Sequence, residues 1–88
     1  ITPFLIYRCF ETLRTYIDHE KLNVKLIGSG RDNDYKHDGF SHDASDIGSF
    51  LVSLQHIETL LPFEKEEIPQ MVTAMVKSKS PMFISLRR

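Results

Sequence analysis

Asn23-Val24-Lys25-Leu26-Ile27-Gly28, then a polar stretch over residues 29–42, then Asp43-Ala44-Ser45-Asp46-Ile47, is the part of the chain whose reading decides the fold. Residues 23–28 predict a strand whose apolar positions are Val24, Leu26 and Ile27. Residues 29–42 predict a loop punctuated by Gly28, Gly30 and Gly39. A loop of that length in a small domain is functional or disordered more often than not. Asp43 is suited to cap a following helix, with Asp46 in its first turn. Ile47, Phe50, Leu51 and Leu54 then mark that helix's buried face.

The same alternation extends outward in both directions. Upstream, Thr2-Pro3 predicts a helix start, because Thr can cap and Pro is tolerated at the first helical position. Ile6, Phe10, Leu13 and Ile17 recur on one face of that helix, with Arg8, Glu11, Arg14 and Asp18 polar between them. Downstream, residues 56–61 predict a second strand ended by Pro62. Residues 65–77 predict a third helix with Ile68, Met71, Val72, Met75 and Val76 inward and Pro69 near its first turn. Residues 82–86 predict a third strand. Strands alternating with helices imply an α/β fold, here a three-layer α/β/α arrangement on a parallel sheet, with helix-strand-helix-strand-helix-strand order. Three strands alone would leave open edges, so the expectation is a partial domain.

Composition narrows the function classes. A chain of 88 residues holds one small domain with a modest core. A net charge of −1 gives no electrostatic basis for binding nucleic acid or an anionic membrane. One cysteine, Cys9, excludes an internal disulfide and suits a reducing, cytoplasmic setting. No run approaches the roughly 20 apolar residues of a membrane-spanning helix, and no signal-peptide pattern is visible. A start at Ile1 and an end just after an apolar run give the expectation of a piece of a longer protein.

Chemistry-bearing residues crowd the long loop: Asp32, Asp34, His37, Asp38, His42 and Asp43. A calcium loop fails, because Lys36 and His37 stand where a ligand and the turn glycine belong. A zinc site from His37 and His42 lacks thiolates and a helical pair. Asp38 and His42 admit a plain reading as solvated loop residues. Phe4, Tyr7 and Phe10, at helical spacing, admit a plain reading as core. Arg87 and Arg88 read as a solvated basic end, at the end of a parallel strand, where ligands gather in open α/β sheets.

Asp38-Gly39-Phe40-Ser41-His42, in its strand–loop–helix setting, resembles the D-G-P-T-H signature of the transketolase family, in the domain that binds the pyrimidine of thiamine diphosphate. The resemblance runs from Thr2 to Arg88 and is strongest over residues 22–47 and 79–88. It implies that Asp38 and His42 are catalytic, the aspartate contacting a substrate hydroxyl and the histidine donating to substrate oxygens. It implies that Phe4 and Tyr7 border the aminopyrimidine, and that Arg88 binds the phosphate of a sugar phosphate. It further implies a homodimer using thiamine diphosphate and Mg, both bound mainly by regions outside these residues, to transfer a two-carbon ketol unit between sugar phosphates. Deoxyxylulose-phosphate synthase and the beta subunit of 2-oxoacid dehydrogenases are alternatives within the broad family. Gly30 stands where many members have a histidine, and Phe40 and Ser41 replace the Pro and Thr of the signature. The activating glutamate is absent. A reading from another class is a non-catalytic interaction module that keeps the fold.

Overall fold

The apolar run near the end of the chain becomes the centre of the sheet. In the computed structural model, which describes residues 1–88, Met82–Leu86 (β3) lies between Lys25–Ser29 (β1) and Glu58–Leu60 (β2). All pairing is parallel: Lys25 lies opposite Met82 and Ser29 opposite Leu86, while Glu58 also meets Met82 and Leu60 meets Ile84. A central parallel strand is buried on both faces and so reads as a continuous apolar run. Phe83 and Ile84, one on each face, are each 1% exposed.

Side-chain alternation along β3 separates two cores. Phe83 packs with Ile6, Leu13, Leu26, Ala44, Ile47, Leu54 and Ile57. Met82 and Ile84 pack on Met75, with Leu60, Met71 and Leu86 around them. Helices therefore cover both faces, and the α/β reading holds. The first face carries Thr2–Tyr7 (α1), Phe10–Thr12 (α2) and Ile47–Leu51 (α3); the second carries Ile68–Lys77 (α4). No helix is long and apolar enough to cross a membrane.

Several local expectations are corrected. Thr2 does not cap: it lies inside α1, and its buried hydroxyl donates to the Ser29 carbonyl at 3.2 Å. The start of α1 is thereby tied to the end of β1. Close approach at that junction requires glycine: a Cβ on Gly28 would stand 2.6 Å from Thr2 Oγ1 and 2.9 Å from the Phe83 ring. Asp43 does not cap either. Its backbone is extended and its carboxylate accepts the N–H and O–H of Ser45, so α3 begins only at Ile47, after Asp46. The first strand is shifted to Lys25–Ser29, and the second is only Glu58–Leu60. Val72 and Val76, expected inside, point outward at 42% and 77% exposure, because α4 buries only Met75 fully. Pro69 sits in the first turn of α4, as expected, behind a 3-10 turn at Lys65–Glu67. The Glu67 carboxylate accepts the N–H groups of Phe63 and Glu64 ahead of that turn.

The first helical run is not uniform. It breaks after α1 and then widens into a π-helix at Leu13–Asp18. An i→i+5 repeat sets residue 18 one turn from residue 13 on the same side. Leu13 and Asp18 are both buried as a result, at 2% and 6% exposure. The Asp18 carboxylate then accepts three backbone N–H groups: Gln55 at 3.0 Å, His56 at 2.7 Å and Ile57 at 2.9 Å. Burial alone pushes its pKa up, but the three N–H donors and the nearby His56 outweigh this and hold it below the ordinary aspartate value.

A lowered folded-state pKa stabilises the fold above the unfolded value of about 3.9, and the contribution is lost as pH falls through the folded value. We expect Asp18→Asn, which replaces an acceptor oxygen with a donor, to cost about 1–3 kcal/mol at neutral pH. Urea unfolding across the acid range should also show a shallower loss of stability in the variant than in wild type. Equal slopes would remove Asp18 from the account.

Candidate functional site

The carboxyl ends of the three strands carry the long loop and the chain's last residues. The loop is built as two 3-10 turns, Lys36–Asp38 and Phe40–His42, joined at Gly39, whose φ of 104° favours glycine. An isolated bridge between Asp32 and Ala44 draws the two ends of the loop together. Its last turn packs on α1.

That packing sets His42 beside Phe4. The two rings meet edge-on with centroids 4.9 Å apart and an interplanar angle of 76°. Both are half-buried. Nδ1 of His42 is 3.0 Å from the Ser41 hydroxyl, and no partner engages Nε2. The Arg8 guanidinium lies over the Phe4 ring at 4.4 Å. Tyr7 is engaged elsewhere: its hydroxyl donates to Asp46 in a short hydrogen bond, and its ring meets Phe50 edge-on at 5.0 Å. Burial and the Asp46 carboxylate raise the Tyr7 pKa far above the ordinary phenol value.

Asp38 and Arg88 converge on a different residue, His37. Asp38 is 3.5 Å from His37 Nε2, and Arg88 Nη1 is also 3.5 Å from that nitrogen. Arg88 lies over the Tyr35 ring at 5.3 Å. His42 thus groups with Phe4, and Asp38 with Arg88, about the two turns of one loop. The neighbouring Arg87 is held by carboxylates: it pairs with Asp34 at 2.6 Å and Asp32 at 3.4 Å. Asp34 also accepts the backbone N–H groups of Arg31 and Arg88, each at 3.0 Å. Burial pushes the Asp34 pKa up, but those donors and the Arg87 charge bring it below the ordinary value.

Gly30 is explained by its surroundings. Its φ is +88°, and a Cβ there would overlap the Tyr35 ring. Tyr35 therefore covers the point from which a histidine would project.

Two residues carry more of the structure than the sequence suggested. Asp18 looked like a solvated helix residue. Arg31 had no role assigned, yet its side chain crosses the sheet end to bond the Pro62 carbonyl and Ser85. The available signal for Arg31 was its place just past a parallel strand, at the edge where open α/β sheets bind ligands. No three histidine, cysteine or carboxylate side chains converge in a way that could hold a metal ion. Compared with family models, curated proteins and solved structures, the chain matches none.

The Asp34 clamp generates a local expectation. Asp34→Asn should raise amide exchange at Arg31 and Arg88 by about tenfold or more while the β3 amides stay protected, since loop openings are separable from global unfolding. Hydrogen exchange followed by NMR checks this; uniform acceleration across the sheet would show that the clamp supports the whole fold instead.

Proposed function

We propose that the chain forms the pyrimidine side of a thiamine-diphosphate-dependent, transketolase-like enzyme that moves a two-carbon ketol unit between sugar phosphates. The observation that carries this reading is the half-buried edge-on contact of His42 with Phe4. It unites the histidine of the D-G-x-x-H stretch with the aromatic that resemblance assigns to the pyrimidine wall, and the two are far apart in sequence.

The residues present fit one half of the cofactor. Phe4 offers an aromatic surface to a flat heterocycle once the exposed Arg8 side chain swings off it. The metal and diphosphate find no convergent ligand set here, so a second domain or subunit must hold them, in a homodimer on this reading. Thiamine diphosphate, when bound, supplies the carbanion chemistry. The chain's own residues bind and orient. His42 has Nε2 free to donate to, or take a proton from, a substrate oxygen. Asp38 is an exposed acceptor for a hydroxyl. Arg88 has no carboxylate on its guanidinium, unlike Arg87, and can accept a phosphate.

A second reading has its own support. Tyr35 over Gly30 occupies a position where many transketolases use a histidine, which favours a diverged module that retains the architecture without the turnover. Supplying the diphosphate- and metal-holding domain of a transketolase in trans, with thiamine diphosphate, Mg and a ketose–aldose phosphate pair, separates the two. Cofactor-dependent ketol transfer by the assembled pair supports the enzyme. A stable assembly without transfer supports the module.

In the active assembly, His42→Ala should lower kcat/KM by at least about tenfold, roughly 1.4 kcal/mol of transition-state stabilisation, with little change in Tm. Unchanged kinetics would remove His42 from the chemistry. Arg88→Ala should raise KM for phosphorylated sugars far more than for their unphosphorylated analogues. Equal effects on both would mark it as a surface charge.

A further inference from the structure

A cleft of about 540 Å³ opens on the Phe83 face of the sheet, between α3 and the carboxyl ends of the strands. Its volume lies in the range of small-molecule sites, about 300–1,000 Å³. Its walls are largely apolar, and three of them stand in water: Val52, Phe63 and Leu61 are 82%, 81% and 49% exposed. None belongs to the His42–Phe4 or Asp38–Arg88 groups.

The cleft contains one uncompensated charge. Arg87 and Asp32 both line it and pair with each other at 3.4 Å. Arg31 also lines it, half-buried, and no carboxylate is within ion-pairing distance of its guanidinium. The head is fixed nonetheless. Nε donates to Ser85 Oγ at 3.3 Å, and Nη2 donates to the Pro62 carbonyl at 2.9 Å and to the Ser85 carbonyl. Nη1 has no hydrogen-bond partner. A half-buried cation with both N–H groups of one nitrogen free favours an incoming anion. Its fixed geometry means little side-chain entropy is lost on binding.

We propose that this cleft binds a small organic monocarboxylate with an aromatic or branched aliphatic body, its carboxylate on Arg31 and its body against Val52, Leu61 and Phe63. One uncompensated positive charge beside Asp32 selects a monoanion over a phosphate dianion. The exposed apolar walls select against a bare inorganic anion.

The test uses the whole chain with 2-naphthoate as probe and 2-naphthamide as its neutral counterpart. Titration followed by amide NMR should show saturable shifts at residues 30–32, 59–61, 63 and 85. The carboxylate should bind at least about tenfold more tightly than the amide, and inorganic phosphate should not compete. Arg31→Gln should abolish that preference. Because Arg31 also braces the loop, Val52→Glu serves as the second variant: at an exposed wall position, it should weaken naphthoate by about tenfold more than the amide, since both probes lose the same apolar contact but only the carboxylate meets the added negative charge. Equal affinity for the two probes, a Val52→Glu variant that binds naphthoate as wild type does, or shifts centred on Phe4 and His42 would each overturn the assignment.

Discussion

Asp18 is the constraint on which the rest of the structure depends. A buried carboxylate is costly unless its oxygens are hydrogen-bonded, and here three consecutive backbone N–H groups satisfy it. Those groups belong to the segment that leads into β2. Without Asp18 they would be donors at the edge of the core with no ladder to join, since β2 itself begins only at Glu58. The π-helix turns Asp18 to the Leu13 side, where the core is. A helical irregularity, a buried charge and the position of a strand are therefore one feature. The two buried neighbours of the β2 lead-in, Leu54 and Ile57, enter the core under the same bond set.

From that anchor the edge that carries the candidate site follows geometrically. With β2 and β1 held on either side of β3, the carboxyl ends of all three strands open toward one rim. Arg31 follows β1, Pro62 and Phe63 follow β2, and Arg87 and Arg88 follow β3. Three arginines crowd the rim, and the protein treats each differently. Arg87 is neutralised by Asp34 and Asp32, Arg31 is fixed by carbonyls and a hydroxyl, and Arg88 rests on an aromatic ring and an imidazole. Only an ion pair cancels charge. Carbonyl and ring contacts orient a guanidinium while leaving its charge available to an anion.

The sheet was legible because its strands obey simple rules. The run Met82-Phe83-Ile84-Ser85-Leu86 is apolar but for Ser85 and shows no alternation, as expected of a doubly buried parallel strand, and β3 has those bounds. The inner face of the first helical run was also legible: Ile6 and Leu13 are buried, and Phe10 and Ile17 pack against them. What sequence reading missed is non-local polar bonding. Thr2 and Asp43 carry good capping side chains, but each found another partner, the Ser29 carbonyl for one and Ser45 for the other. Asp18 sits at an ordinary polar position of a 3.6-residue repeat, and only the wider π turn takes it inside. Val72 and Val76 are apolar at helical spacing, but α4 turns Met75 and Met71 to the sheet and leaves these two facing outward. For the candidate site, the sequence reading singled out a loop and a helix that the fold packs together. It did not indicate that His42 would meet Phe4 while Asp38 and Arg88 met at His37.

That division bears on how one loop could serve two ends of a substrate. The same His37 nitrogen lies 3.5 Å from both the Asp38 carboxylate and an Arg88 donor. An imidazole nitrogen cannot donate to one and accept from the other at once. When it carries a lone pair it suits Arg88; when it carries a proton it suits Asp38. On the proposed reading, a phosphate that draws the Arg88 guanidinium to itself removes the donor His37 was accepting from. The imidazole is then free to turn to Asp38, and so to the residue assigned to a substrate hydroxyl. Such a link needs no movement of the sheet, because Arg88 and His37 are exposed side chains while their backbones are fixed by Asp34 and by the 3-10 turn. The rigid elements set where the two ends of the loop stand, and on the proposed reading the exchange of one hydrogen-bond partner would couple them.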